Sequence, residues 1–257
     1  MKKVFLAVMF LVAARLAAQE QNAVQSMILD GKTQFEAAYK NWSRDEMINA
    51  KAIFERALAV EPENVDALYW KAYADYRLTI RSLYGSDKNE EMAEELVEEG
   101  IKTLEAAIKI SPNHSECLAL IGTLTGMKIS FNPISGMWLG PKSNGYYDEA
   151  VKANPKNPRA FHLKGIGKLN TPAMFGGGAD KAIPEFEKAL ALYKEQKTEA
   201  SSLLPDWGYD ECLTFTGNAY AALKDNDKAA IYYKEALAIN PDSRQAKAGL
   251  AKLESAK

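Results

Sequence analysis

The chain has 257 residues, with 32 Lys and Arg against 34 Asp and Glu and a formal net charge of −2. Such a balance offers no basic face to neutralise phosphates, which argues against nucleic acid as a partner. Two histidines and two cysteines also make a poor metal centre, because structural zinc takes four ligands. His114 and Cys117 share a helix face three residues apart, and without a second pair they read as capping or packing residues.

The first element is MKKVFLAVMFLVAARLAAQE, in which Lys2 and Lys3 precede an apolar run from Val4 to Ala14 and small residues follow at Ala17 and Ala18. This is the layout of a secretory signal peptide, residues 1–18, and implies a periplasmic or secreted protein. The run is short of the roughly 20 apolar residues of a membrane span. An uncleaved N-terminal anchor is the alternative. Leu16 only half meets the small-x-small rule, and no cysteine follows to carry a lipid. Cleavage near Ala18 removes Lys2, Lys3 and Arg15, leaving 29 of the 32 basic side chains against 34 acidic ones, a net charge of about −5. No second long apolar run follows, so residues 19–257 are expected to be soluble, with no stable membrane insertion.

Four later segments share one pattern: AKAIFERALAVEP, GIKTLEAAIKISP, SNGYYDEAVKANP and KAAIYYKEALAINP. Each ends at a proline: Pro62, Pro112, Pro155 and Pro241. Five residues earlier stands an alanine (Ala57, Ala107, Ala150, Ala236), and three before that a large residue (Phe54, Leu104, Tyr147, Tyr233). Four earlier still is a small one (Ala50, Gly100, Ser143, Ala229). A fifth copy, KAIPEFEKALALYK, carries Ala182, Phe186 and Ala189 and has Lys194 in place of the proline. Small, large and small at i, i+4 and i+7 share one helix face. The small residues admit a neighbouring helix, the large one fills the gap, and the proline stops the helix. A second helical segment follows each proline, with a small residue ten positions on at Ala72, Gly122 and Gly165, matched by Gly217 in the last unit.

The pattern resembles the tetratricopeptide repeat, W-x2-L-G-x2-Y followed by A-x3-F-x2-A-x4-P. The unit from Asp210 to Asp242 fits best, through Leu213, Gly217, Tyr220, Ala229, Tyr233, Ala236 and Pro241, with Thr216 departing. Lys71, Asp75 and Lys168 stand where the family has apolar residues. The resemblance implies an all-α, right-handed superhelical solenoid of about five helix pairs. A final helix from about Ser243, SRQAKAGLAKLESAK, is expected to cap it. Cys117 and Cys212 fall at one position of different repeats and are expected to be separate buried thiols, since packed helices stand farther apart than a disulfide spans.

The repeat period of 34 residues is exceeded throughout, which places insertions near residues 84–92, 130–142, 170–179 and 195–207. The first three fall between the helices of a unit and should share one edge; the fourth, in EQKTEASSLLPDWG, lies between units and should face the opposite edge. The insertion MFGGGADKA lacks the G-x4-G-K-[ST] spacing of a phosphate loop, because Ala182 follows Lys181. It reads as a glycine-permitted turn capped by Asp180, with anion binding at the helix start as the alternative. Around SFNPISGMWLGPKS the chain is so apolar that it is either packed down or offers a surface, which makes Trp138, with Phe175 of the next turn, a candidate contact.

In this repeat family the first helices line a concave groove that takes a peptide or partner helix. That register nominates Tyr39, Tyr69, Tyr73, Arg77, Arg159, His162 and Asn218 as partner-binding residues, beside Phe35, Trp42, Asp66, Glu116, Thr123, Ile166 and Thr214. Tyr, Trp and Arg are the residues that anchor interfaces. Read one residue over, DALYWKAYADY puts Tyr69, Tyr73 and Tyr76 in the core instead. The expected function is an exported scaffold that binds a protein or peptide. A small-ligand alternative rests on a Phe-Gly-Gly turn feeding an A-x3-F-x2-A helix (Phe175, Gly176, Gly177, Ala182, Phe186, Ala189), which is similar to the helical-repeat subunits of TRAP-type solute transporters. Nothing nominates a catalytic residue, a cofactor or a metal, so no enzyme activity is expected.

Overall fold

A computed structural model describes residues 2–196 and 202–255, with side chains from residue 21 onward. Among these residues there are eleven α-helices and no strand: α1 (Lys2–Asn41), α2 (Arg44–Val60), α3 (Val65–Tyr84), α4 (Glu90–Ile110), α5 (Ser115–Phe131), α6 (Gly136–Ala153), α7 (Pro158–Asn170), α8 (Ala179–Glu195), α9 (Tyr209–Ala222), α10 (Asn226–Ile239) and α11 (Arg244–Ser255). Helices α1 to α10 pair in sequence, and successive pairs stack into an all-α solenoid that α11 closes. Among the described residues no helix is long and apolar enough to cross a membrane.

The boundaries follow from local chemistry. Each repeat proline lies just past a helix end, and two residues later a polar side chain caps the next helix. Asn64 accepts from the Ala67 N–H at 3.0 Å, Asn157 from Arg159 at 2.9 Å, His114 Nδ1 from Cys117 at 3.3 Å and Ser243 from Ala246 at 3.4 Å. Such a cap contributes about 1 kcal/mol by satisfying a free N–H of the first turn. His114 therefore has the capping role its spacing suggested, and Cys117 and Cys212 are separate buried thiols.

The repeat register describes the core. Phe54, Leu104, Tyr147, Phe186 and Tyr233 are all buried, as are Ala57, Ala107, Ala150, Ala189 and Ala236. Phe54, Tyr147, Phe186 and Tyr233 each press on the first helix of their own pair, at Gly31, Gly122, Gly165 and Gly217. A Cβ placed on Gly165 would lie 2.5 Å from the Phe186 ring, and one on Gly217 2.7 Å from Tyr233, so only glycine admits these rings. Tyr233 is also covered from the other side by Gly249 of α11, which buries Ala246 and Leu253.

Lys71 and Asp75, the departures from the apolar pattern, form a charge cluster between α2, α3 and α4. Lys51 Nζ lies 2.6 Å from Asp75 and 2.9 Å from Glu99, and Lys71 Nζ 2.6 Å from Glu99 and 3.3 Å from Asp75. Burial pushes the Asp75 carboxyl up to about 6 against the pull of both lysines. The cluster joins neighbouring repeats with little net stabilisation, because desolvation offsets the attraction.

The insertions differ from their sequence picture. Near 84–92 most of the extra length goes into helix: α3 and α4 run 20 and 21 residues, against 14 each in α9 and α10. Near 130–142 a short 3-10 turn (Pro133–Ser135) leads into α6, so Met137, Trp138 and Leu139 are helical. Near 170–179 the chain makes the expected glycine turn, with Gly176 at φ 82° and Gly178 at φ 117°. Gly178 occupies the cap position of α8, and Asp180 sits within the first turn beside Lys181 rather than capping it. Residues 197–201 of the last insertion lie outside the described residues. The remainder, 202–208, follows the expected edge, where residues 203–205 lie beside the between-unit turns at 111–115 and 154–158, and then turns inward, so that Trp207 packs on the groove face of α3.

Candidate binding groove

The first helices of the five pairs present their inward faces to one groove. Spacing by four along α3 puts Tyr69, Tyr73 and Arg77 in a row. Tyr39 enters from α1, Glu116 from α5, Arg159 and His162 from α7, and Glu211 from α9. Both sequence readings of α3 are therefore partly right. Tyr69, Tyr73 and Tyr76 are buried, and what buries Tyr69 and Tyr73 includes the chain's own segment lying in the groove.

Arg77 is the centre of the cluster. It makes a two-point ion pair with Glu211, at 2.7 and 2.9 Å, and donates to the Tyr39 hydroxyl at 3.3 Å. The rings of Tyr39, Tyr73, Trp207 and Tyr76 surround its guanidinium, with centroids 4.7, 4.9, 4.9 and 5.2 Å away. Burial raises the Glu211 carboxyl above its usual range, opposed by Arg77. Burial also holds the Tyr39 phenol up at about 12, so it stays a neutral donor and acceptor. Arg159 forms the second centre, paired with Glu116 at 2.8 and 2.9 Å.

Trp207 lies between these two centres, its ring near both guanidiniums, and residues 202–206 that lead to it are irregular, with a bend at Leu203 and Leu204. The Trp207 indole packs on Tyr73 with centroids 5.1 Å apart and donates to the Tyr69 hydroxyl at 3.0 Å. Groove side chains take up the main-chain carbonyls in turn. Trp70 Nε1 donates to Leu203 at 2.9 Å, Lys32 to Leu204 at 3.3 Å, Gln196 to Pro205 at 3.4 Å and Arg159 to Trp207 at 3.4 Å. Lys32 also pairs with the Asp206 carboxylate at 2.9 Å. Beside the segment an open cavity of about 590 Å³ is bounded by Asp66, Tyr69, His114, Glu116, Arg159 and Leu203–Pro205.

His162 lies fully buried under Trp207, among Phe186, Tyr193 and Phe215. Its Nδ1 is 3.3 Å from the Tyr193 hydroxyl, and Nε2 has no partner. Burial, reinforced by Arg77 and Arg159, pushes the imidazole down to about 3, so it is neutral and a weak base. Burial raises both cysteine thiols, which disfavours the nucleophilic thiolate. Among the described residues no three His, Cys, Asp or Glu side chains converge on a metal position. The arrangement presents aromatic faces, two ion-paired guanidiniums and side-chain donors aimed at main-chain carbonyls.

The structure brings together six of the nominated residues, Tyr39, Tyr69, Tyr73, Arg77, Arg159 and His162. Asn218 stands apart, accepting from the Tyr233 hydroxyl at 2.7 Å. Trp138 and Phe175 are 57% and 70% exposed on the edge formed by the helix-pair turns, with Ile134, Met137 and Met174 beside them. Sequence reasoning missed Trp207, Glu211, Lys32 and Trp70 as groove residues. The available signal was LLPDW, an apolar and aromatic run in an insertion, which needs cover somewhere.

Residues 210–243, the last helix pair, match the family model of the tetratricopeptide repeat. No curated protein matches the chain in sequence. Among solved structures, TTC0263, a thermophilic tetratricopeptide-repeat protein of Thermus thermophilus, superposes with a TM-score of 0.63 at 17% identity, over 87% of this chain and 98% of that one. The HusA haemophore from Porphyromonas gingivalis gives a TM-score of 0.62 at 27% identity, over 78% of this chain and 92% of that one.

Proposed function

We propose that this is an exported, non-enzymatic binding protein that holds an extended segment of a partner protein in its concave groove. The observation that carries the reading is the capture of four main-chain carbonyls, of Leu203, Leu204, Pro205 and Trp207, by side chains of the groove. Main-chain hydrogen bonds give affinity for any extended peptide, and neighbouring pockets give preference among side chains. A photo-crosslinking residue at Tyr39, on the groove rim, tests this in cells that make the protein. A protein adduct from that position, and none from Ile239, is the expected result; no protein adduct refutes it. Export is checked in the same cells by N-terminal sequencing, with a mature end near residue 19 expected.

A second reading, a small flat aromatic ligand, draws on the likeness to the haemophore. Tyr69, Tyr73 and Trp207 would supply stacking faces, Arg77 and Arg159 would attract carboxylates, and His162 Nε2 is without a partner. Haem titration followed by its absorbance band separates the two readings: saturable binding lost in His162→Ala favours this one.

A further inference from the structure

The segment in the groove is held as a ligand is held. From Leu203 to Trp207 it belongs to no helix or strand; four of its carbonyls are taken by side chains on α1, α3 and α7 and by Gln196 at the end of α8, while the Leu204 N–H donates within the segment to Ser202 Oγ at 3.1 Å. Its two specific anchors are different in kind. Asp206 pairs with the buried Lys32, itself seated over the Trp70 ring at 5.3 Å, and also faces the Glu36 carboxyl, which burial and the nearby Asp206 charge push up to about 7. Trp207 enters an aromatic slot between Tyr73 and the Arg77 guanidinium, its N–H paired to Tyr69. Yet the segment is only partly covered: Leu204 is 63% exposed, and the open cavity runs alongside Leu203–Pro205.

Resting on the groove being a peptide site, we propose that its preferred ligand is a peptide with an acidic residue followed by an aromatic one, and that Leu203–Trp207 is a resident copy of that ligand which a partner must displace. The acidic side chain takes Lys32, the aromatic ring takes the Tyr73–Arg77 slot, and the donors on Trp70, Lys32, Gln196 and Arg159 take the backbone. Tethering sets the strength of the competition. A segment held at both ends by α8 and α9 acts at an effective concentration of about 1 mM. Against a free peptide whose intrinsic dissociation constant is about 10 to 100 μM, it weakens apparent affinity by roughly 10- to 100-fold.

The test uses a fluorescent peptide, Ser-Leu-Leu-Pro-Asp-Trp-Gly, and the full chain, read by anisotropy. Trp207→Ala and Asp206→Ala each remove one anchor of the resident segment. Asp206 is exposed, so its variant keeps the experiment interpretable if Trp207→Ala fails to fold by circular dichroism. The peptide is expected to bind the variants at least tenfold more tightly than the wild type. Adding Lys32→Glu to Asp206→Ala should abolish the gain, and a peptide with Lys in place of Asp should show none. Equal binding to wild type and variants overturns the resident-ligand proposal. No binding to any folded variant overturns it too. In that case a protein adduct at Tyr39 would leave the groove reading standing, and its absence would remove both.

Discussion

Replacing Glu211 by Gln strands the charge of Arg77. The Arg77 side chain is 3% exposed and its partner 21%, at distances of 2.7 and 2.9 Å. Removing one member of a buried ion pair costs about 3–5 kcal/mol, because the remaining charge has lost both its partner and its water. The lower end applies here. Glutamine still accepts one hydrogen bond, Glu211 is one-fifth exposed, and four aromatic faces around the guanidinium remain, each worth about 0.5–2 kcal/mol. The expected loss is about 3 kcal/mol, which lowers the urea midpoint by about 1.5 M at an m-value of about 2 kcal/mol/M. Urea titration followed by circular dichroism measures it. The double variant Arg77→Met/Glu211→Gln should be less destabilised than Glu211→Gln alone, since no charge is left without a partner. A Glu211→Gln midpoint unchanged within error, or a double variant worse than the sum of the singles, would refute the account of a charge clamp between α3 and α9.

Other consequences are simpler to check. Ala236→Leu inserts three carbon atoms at a fully buried helix contact and should cost about 1–3 kcal/mol; an unchanged melting temperature would contradict the repeat register. His162 is held neutral down to about pH 3 in the folded chain, whereas an unfolded histidine titrates near 6.5. The unfolded state therefore binds the extra proton between those values, and stability falls as pH drops below 6.5, by at most about 1.4 kcal/mol per unit from this group. The difference between wild type and His162→Gln should carry that slope across pH 6.5 to 5, and parallel curves would rule it out. Deleting residues 244–257 uncovers Tyr233 at Gly249 and the Ala246 and Leu253 sites, so the truncated chain should self-associate on size exclusion; a monomer of unchanged stability would show that α11 is dispensable.

The helix pairs were legible because their signals are local. Proline past the helix end and small–large–small spacing lie within one helix and its end, so no distant partner is needed to read them. That Tyr69, Tyr73, Arg77 and Arg159 face the same side likewise needed only helical period and the repeat register. What sequence could not place was the inward turn of residues 202–208 onto that face. An insertion between units has no period, and its destination depends on which distant surface offers cover. Lys32, 172 residues from Leu204, and Trp70, 133 residues from Leu203, supply that surface. They become neighbours only because superhelical stacking curves the first and last repeats around one groove. Sequence alone thus determined the repeating helices and their buried faces, while the tertiary structure alone decided that the chain's own segment enters the groove, since its backbone is held by donors that only folding brings together.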